Sequence, residues 1–190
     1  IKHAKEKKPA AITLKMNSLS DETLIDLLYD AAKAGVELRL IIRGIFCMYS
    51  ENKKFVYPVK AISIVDEYLE HARVFIFHNN GQEKVYISSA DWMVRNLDHR
   101  VEATVPIRDG NIKKVLKNIL EIQLSDNVKA RILDNELSNR YVRDRKQKKV
   151  RSQVEIYNYL HQKTNWMPAT SKPVVAPSLQ VMEARADDHS

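Results

Sequence analysis

AAITLKMNSLSDETLIDLLYDAAKAGVELRLIIRG, residues 10–44, is the stretch that decides the fold. Its first five residues are apolar or β-branched and run into Asn17, Ser18 and Ser20, which supply turn and capping chemistry, so they read as a short buried strand. A helix is expected from near Ser20. Asp21 and Glu22 suit its positive end, Leu24, Leu27, Leu28 and Ala31 recur at helical spacing, and Gly35 ends it. ELRLIIRG, residues 37–44, then reads as a second strand. Strand, helix and strand in this order are the unit from which parallel sheets with crossover helices are built.

Working outward, residues 47–58 lack periodicity, and strands are expected at 61–65, 73–78 and 84–89, the last two joined by a hairpin at Asn79, Asn80 and Gly81. HRVEATVPI, residues 99–107, reads as a further strand leading into a helix over about 110–124, with Ile112, Val115, Leu116, Ile119 and Leu120 on one face. A final helix is expected over about 150–162. The fold class is therefore α/β, with a mixed, largely parallel sheet flanked by helices. The organisation expected is a basic stub at 1–9, one domain at 10–168 and a disordered tail at 169–190, rich in Pro, Ser, Ala and charge.

The chain begins IKHAKEKK, without methionine and with no apolar stretch behind it, which suggests a piece of a longer protein. Cys47 is the single cysteine and no apolar run approaches the roughly 20 residues of a membrane span, so a reducing cytoplasm is the expected compartment, with peripheral membrane association compatible with it. Of the net charge of +7, most lies in NRYVRDRKQKKVR, residues 139–151, which holds seven basic residues against one acid. Such a run attracts polyanions by counterion release and Coulomb steering, or is simply a solvated linker.

His71, Arg73, Phe75 and Phe77 alternate, so a strand beginning near His71 puts imidazole and guanidinium on one pocket wall. Imidazole can attack phosphorus or move protons, and Arg offers a flat fork of donors matched to phosphate oxygens. By the same parity Arg100 and Glu102 share a face, with Val101 and Ala103 on the other, and Glu102 is the candidate carboxylate to orient His71. Arg43 lies at the carboxyl end of a parallel strand, where ligands of open α/β sheets gather, and Lys15 and Asn17 fall on that edge if the two strands are neighbours. In SSADWMVRN, hydroxyls and Asn96 are candidate donors to phosphate and Trp92 is a candidate wall. For each of these the plainer alternative is a surface ion pair, a capped turn or a core side chain.

Read together, the segments resemble the polyphosphate kinase family, whose C-terminal region is related in fold to phospholipase D. The resemblance rests on residues 10–44, on AISIVDEYLEHARVFIF (61–77), on KVYISSADWMVRNLDHRVEATVPI (84–107) and on LSDNVKARILDNELSNRYV (124–142). It covers residues 10–163, and LEHAR, SSADWM and RNLDHRVE in this order are far more specific than any lone His or Arg. Two departures stand out. MYSENKKFVYPVK follows Arg43-Gly44-x-x-Cys47 where the family has an Arg-Pro-Gly stretch, and His78 stands where the phospholipase D pattern has an Asp.

The resemblance implies reversible transfer of the terminal phosphoryl of ATP to inorganic polyphosphate, with Mg2+ as cofactor. It implies that His71 lines the nucleotide site, that Arg43 binds nucleotide phosphate and that Glu102 sits near His71. Arg73 and Arg100 are the further candidates for ATP phosphates, and Lys15, Asn17, Arg140, Arg143, Arg145 and Lys146 for the polyphosphate path, with no metal ligand in this region. In the family the phosphorylated histidine, the magnesium-associated arginines and an adenine-side tyrosine lie in preceding domains. The fragment alone is thus expected to be inactive, and to work with those domains in a full-length homo-oligomer. Two other readings stay open: a phospholipase-D-like phosphodiesterase or nuclease, and a non-catalytic polyanion-binding module.

Overall fold

The computed structural model describes residues 1–143 and 148–164. Its elements are α1 (Lys2–Lys5), β1 (Ala11–Met16), α2 (Glu22–Lys33), β2 (Glu37–Ile42), β3 (Lys60–Ile64), β4 (Arg73–Phe77), β5 (Lys84–Ser88), α3 (Val94–Leu97), β6 (Thr104–Ile107), α4 (Gly110–Leu124), β7 (Ala130–Ile132) and α5 (Ser152–Thr164). The expected tail at 169–190 lies outside the described residues.

The decisive stretch folds as read. β1 and β2 pair in parallel from Ala11 opposite Glu37 to Met16 opposite Ile42, and α2 crosses between them. The carboxylate of Asp21 caps α2 by accepting from the Leu24 amide at 2.9 Å. Gly35 ends it at φ +92°, a left-handed conformation that costs an L side chain energy. The buried stripe is Ile25, Leu28, Ala31 and Ala32, whereas Leu27 faces solvent.

The sheet runs β6-β5-β4-β1-β2-β3-β7 and is mixed, as expected, but it is not largely parallel. Among the strands of the described residues, β1 with β2 and β2 with β3 pair in parallel, and the other strand pairings are antiparallel. Connection length accounts for part of this. Parallel neighbours need a long crossover, which α2 and residues 43–59 provide, while the Asn79–Gly81 turn is a tight hairpin. Asn79, Asn80 and Gly81 all adopt positive φ there.

Alternation along the strands divides the core in two. Leu14, Met16, Leu38, Leu40, Ile42 and Phe75 pack toward α2, while Ile41, Ile62, Val74, Ile76 and Val85 pack toward Leu120 and Leu124 of α4. Because β4 runs against β1, its beginning lies beside the end of β1, with Val74 opposite Lys15. The end of β5 joins the same edge, where Ser88 pairs with Arg73. Segments distant in sequence therefore end together: 16–18, 42–44, 70–73 and 88–91.

Part of the basic run is structural. The Arg151 guanidinium donates to both Asp66 oxygens at 2.7 and 2.8 Å, and Ser152 at the start of α5 donates its amide to Asp126 at 2.8 Å. The Arg151 hydrogen bonds hold the Asp66 carboxyl down at about 2, against the opposing effect of burial. A depressed carboxyl stabilises the fold at pH values above its unfolded pKa, near 4, and that contribution disappears as pH falls through the folded value. Asp66→Asn is accordingly expected to cost about 1–2 kcal/mol at pH 7. The gap from wild type should shrink between about pH 4 and pH 2 in acid-dependent urea unfolding. A gap independent of pH would contradict the assignment.

Candidate functional site

The shared edge is organised around a carboxylate. Asp91 is buried, and its Oδ1 accepts from the backbone amides of Asn17 (2.7 Å) and Ser18 (3.2 Å), so it holds the chain where it leaves β1. Arg73 closes on it with two bonds, Nε to Oδ1 at 3.2 Å and Nη2 to Oδ2 at 3.0 Å. Burial raises the carboxyl of Asp91, yet Arg73 and the two amides outweigh it and hold it below the ordinary carboxylate range.

Arg43 and His71 are brought together at this edge. Arg43 Nε donates to Asn17 Oδ1 at 2.8 Å and to the Glu70 carbonyl at 2.6 Å, which leaves its terminal nitrogens without a hydrogen-bond partner among the described residues. Arg73 Nη1 donates to the His71 carbonyl at 3.0 Å. Two arginines thus clamp consecutive carbonyls and fix the backbone beneath the His71 ring. Gly44 permits the approach of β2. Its amide donates to the Asn17 carbonyl at 2.7 Å, and a Cβ there would stand 2.9 Å from that oxygen.

The expected shared wall of His71 and Arg73 does not form. β4 begins at Arg73, so His71 precedes the strand and the alternation does not reach it. Arg73 turns to Asp91, while exposed His71 borders a cavity of about 380 Å³ on the α4 and α5 side, with Lys15, Glu70, Val74, Leu120, Gln123 and Ile156 among its walls. Trp92 does not line that cavity and packs its ring against Phe75 at 5.5 Å. Lys15 and Asn17 do lie at the edge, but neither presents a free group to a passing chain. Lys15 is buried and pairs with Glu70 at 2.9 Å, and the Asn17 amide is divided between Arg43 and Asp91.

Arg100 and Glu102 do not lie on a strand, because β6 starts only at Thr104 and Val101 is fully exposed. The Glu102 loop is held by Ser89, whose Oγ accepts from the Ala103 amide at 3.0 Å and donates to Glu102. Asn96 Nδ2 donates to the other Glu102 oxygen at 2.6 Å. The Ser89 hydroxyl, the Asn96 amide and the charges of Arg100 and Arg73 hold the Glu102 carboxyl below its usual range. No hydrogen bond joins Glu102 to His71 among the described residues. Of the basic run, Arg140 reaches Asp134 at 3.3 Å and exposed Arg143 lies 5.5 Å from the Tyr141 ring, while Arg145 and Lys146 lie outside the described residues.

Residues 1–153 match the family model described as polyphosphate kinase C-terminal domain 2. The chain belongs to that family.

Polyphosphate kinases of Vibrio cholerae serotype O1 and Escherichia coli strain K12 are 51% and 48% identical to it over 160 residues. Each alignment covers 84% of this chain and 23% of the relative, so the chain spans about a quarter of the length of the curated relatives it matches. The crystal structure of polyphosphate kinase from Porphyromonas gingivalis superposes with a TM-score of 0.83 at 44% identity, covering 86% of this chain and 25% of that one. In this polyphosphate kinase C-terminal domain, the connecting residues were the ones that sequence patterning missed. Asp91 and Glu70 stand inside SSADWM and LEHAR, but Asp91 reaches Asn17 and Ser18, 74 and 73 positions away in the chain, and the Glu70 carboxylate reaches Gln123, 53 positions away. No local period signals such contacts.

Proposed function

We propose that this chain is the C-terminal catalytic portion of a polyphosphate kinase, which transfers the terminal phosphoryl of ATP reversibly to inorganic polyphosphate. The observation that carries the reading is the 48–51% identity to polyphosphate kinases, which spans Arg43, His71 and the edge that unites them. Phosphoryl transfer asks mainly for positioning and for donors around the phosphate oxygens. Arg43, anchored through Nε, offers its two terminal nitrogens as a fork for a nucleotide phosphate. His71 offers an uncommitted ring, as donor or as acid and base, on a clamped backbone.

The phosphorylated histidine belongs to a preceding domain, and the isolated chain is inactive. The full-length protein is a cytoplasmic homo-oligomer. No helix among the described residues is long and apolar enough to cross a membrane. Magnesium is proposed as a companion of the nucleotide. The described residues do not fit a protein-held ion: none form a group of three His, Cys, Asp or Glu side chains able to hold one, and Asp91, Glu70 and Glu102 are committed to other donors.

Arg43→Ala in the longer enzyme is expected to weaken ATP binding by about 10- to 100-fold, the scale of a charge-assisted contact. Calorimetric titration with ATP and Mg2+ measures this, and unchanged affinity would remove Arg43 from the site. Neutralising Arg140, Arg143, Arg145 and Lys146 together should lower both the affinity for long polyphosphate and its salt dependence. If both stay at wild-type values, the basic run is not part of the path.

A further inference from the structure

From the hydrogen-bond pattern at the sheet edge we infer that Asp91 is the positioning residue of the phosphate site, aiming Arg43 through Asn17 and holding the His71 backbone through Arg73. The inference rests on the reading of Arg43 as a phosphate ligand, and it adds a residue to which neither composition nor motif had given a role.

Chemistry fixes the direction of the first arm. An ionised carboxylate only accepts hydrogen bonds and a guanidinium only donates them. Asn17 stands between the two, so its amino group must face Asp91 and its carbonyl oxygen must face Arg43. That is the arrangement observed, with Asn17 Nδ2 donating to Asp91 Oδ2 at 3.3 Å and Arg43 Nε donating to Asn17 Oδ1 at 2.8 Å. Were Asp91 an amide, Asn17 would lose the partner that dictates its orientation, and its amino group could turn toward Arg43 and displace it. The second arm is the paired contact from Arg73 to Asp91, which leaves Arg73 Nη1 to take the His71 carbonyl at 3.0 Å. One buried acceptor thus reaches both candidate functional residues while touching neither, with the Glu70 carbonyl as the second acceptor of Arg43 Nε.

Asp91 also binds the Asn17 and Ser18 amides, so Asp91→Ala risks loosening the whole edge. Two milder variants separate aim from folding. Asp91→Asn preserves volume and removes the charge. Asn17→Ala cuts only the arm to Arg43 and leaves Arg73 on Asp91.

The test reads exchange of the Arg43 Nε–H by nitrogen-detected NMR in the folded chain, together with kcat and the KM for ATP in the longer enzyme. Exchange of that proton is expected to quicken by roughly tenfold in both variants, the equivalent of one lost charge-assisted bond. KM for ATP should rise by a similar factor in both, and kcat should fall further in Asp91→Asn, where the His71 arm is also released. A merely structural Asp91 would lower the melting temperature while leaving Arg43 exchange and KM in the folded variants at wild-type values, and that result overturns the inference. If Arg43 exchange quickens in both variants while KM stays unchanged, the positioning stands and the assignment of Arg43 to phosphate falls.

Discussion

His71→Ala is expected to lower kcat/KM for ATP-dependent polyphosphate synthesis by about 10²- to 10⁴-fold in the longer enzyme, the usual contribution of a placed acid or base. The His71 ring is exposed and has no hydrogen-bond partner among the described residues, so removing it leaves no buried group unsatisfied. Folding should be preserved, with the unfolding midpoint of the variant near that of wild type. His71→Gln keeps hydrogen bonding but cannot serve as an acid or a base, so a partial recovery would separate donor from acid and base. Steady-state rates at saturating polyphosphate decide the matter, and wild-type kcat/KM in His71→Ala would exclude the residue from the reaction.

Glu70→Ala has its large effect on stability instead. Glu70 Oε2 meets the Lys15 ammonium at 2.9 Å and also accepts from Gln123 Nε2, while its Oε1 accepts from Gln153 Nε2 at 3.1 Å. Lys15 and Gln123 are almost wholly buried, so removing the carboxylate strands a buried ammonium and a buried amide. Breaking such a pair from one side costs about 3–5 kcal/mol, whereas replacing both partners with apolar groups is often neutral. Urea unfolding of Glu70→Ala should show that loss, and Lys15→Met combined with Glu70→Leu should recover much of it. A loss below about 1 kcal/mol would mean that the pair is solvated, as surface pairs are.

Legibility in the sequence followed the range of the interactions. β1, α2 and β2 were readable because a sheet packed between helices needs apolar strands and a helix with one apolar stripe, both local patterns, and Asp21 and Gly35 mark the helix ends chemically. β7, three residues at the far edge, gives too short a pattern to detect, and α1 packs only Ala4 against the core. The sheet was misjudged as largely parallel because strand direction depends on which edge the next strand joins, and β4 joins beside β1 instead of β3.

The site shows the same division. Arg43 was legible from its place after an apolar strand. The pairing of His71 with Arg73, and of Arg100 with Glu102, assumed that alternation continues to the visible end of a pattern, but the strands begin only after His71 and only after Glu102. What replaces those pairings is long-range: Asp91 to Asn17, Glu70 to Lys15 and Arg43 to the Glu70 carbonyl. Such contacts become visible only when four chain segments meet at one edge.

Hydrogen–deuterium exchange of the longer enzyme, with and without ATP and Mg2+, tests most directly whether that edge handles the nucleotide. The account predicts slowed exchange in peptides covering residues 42–47 and 69–73. Protection confined to other parts of the protein, with these two segments unchanged while ATP is bound, would contradict it.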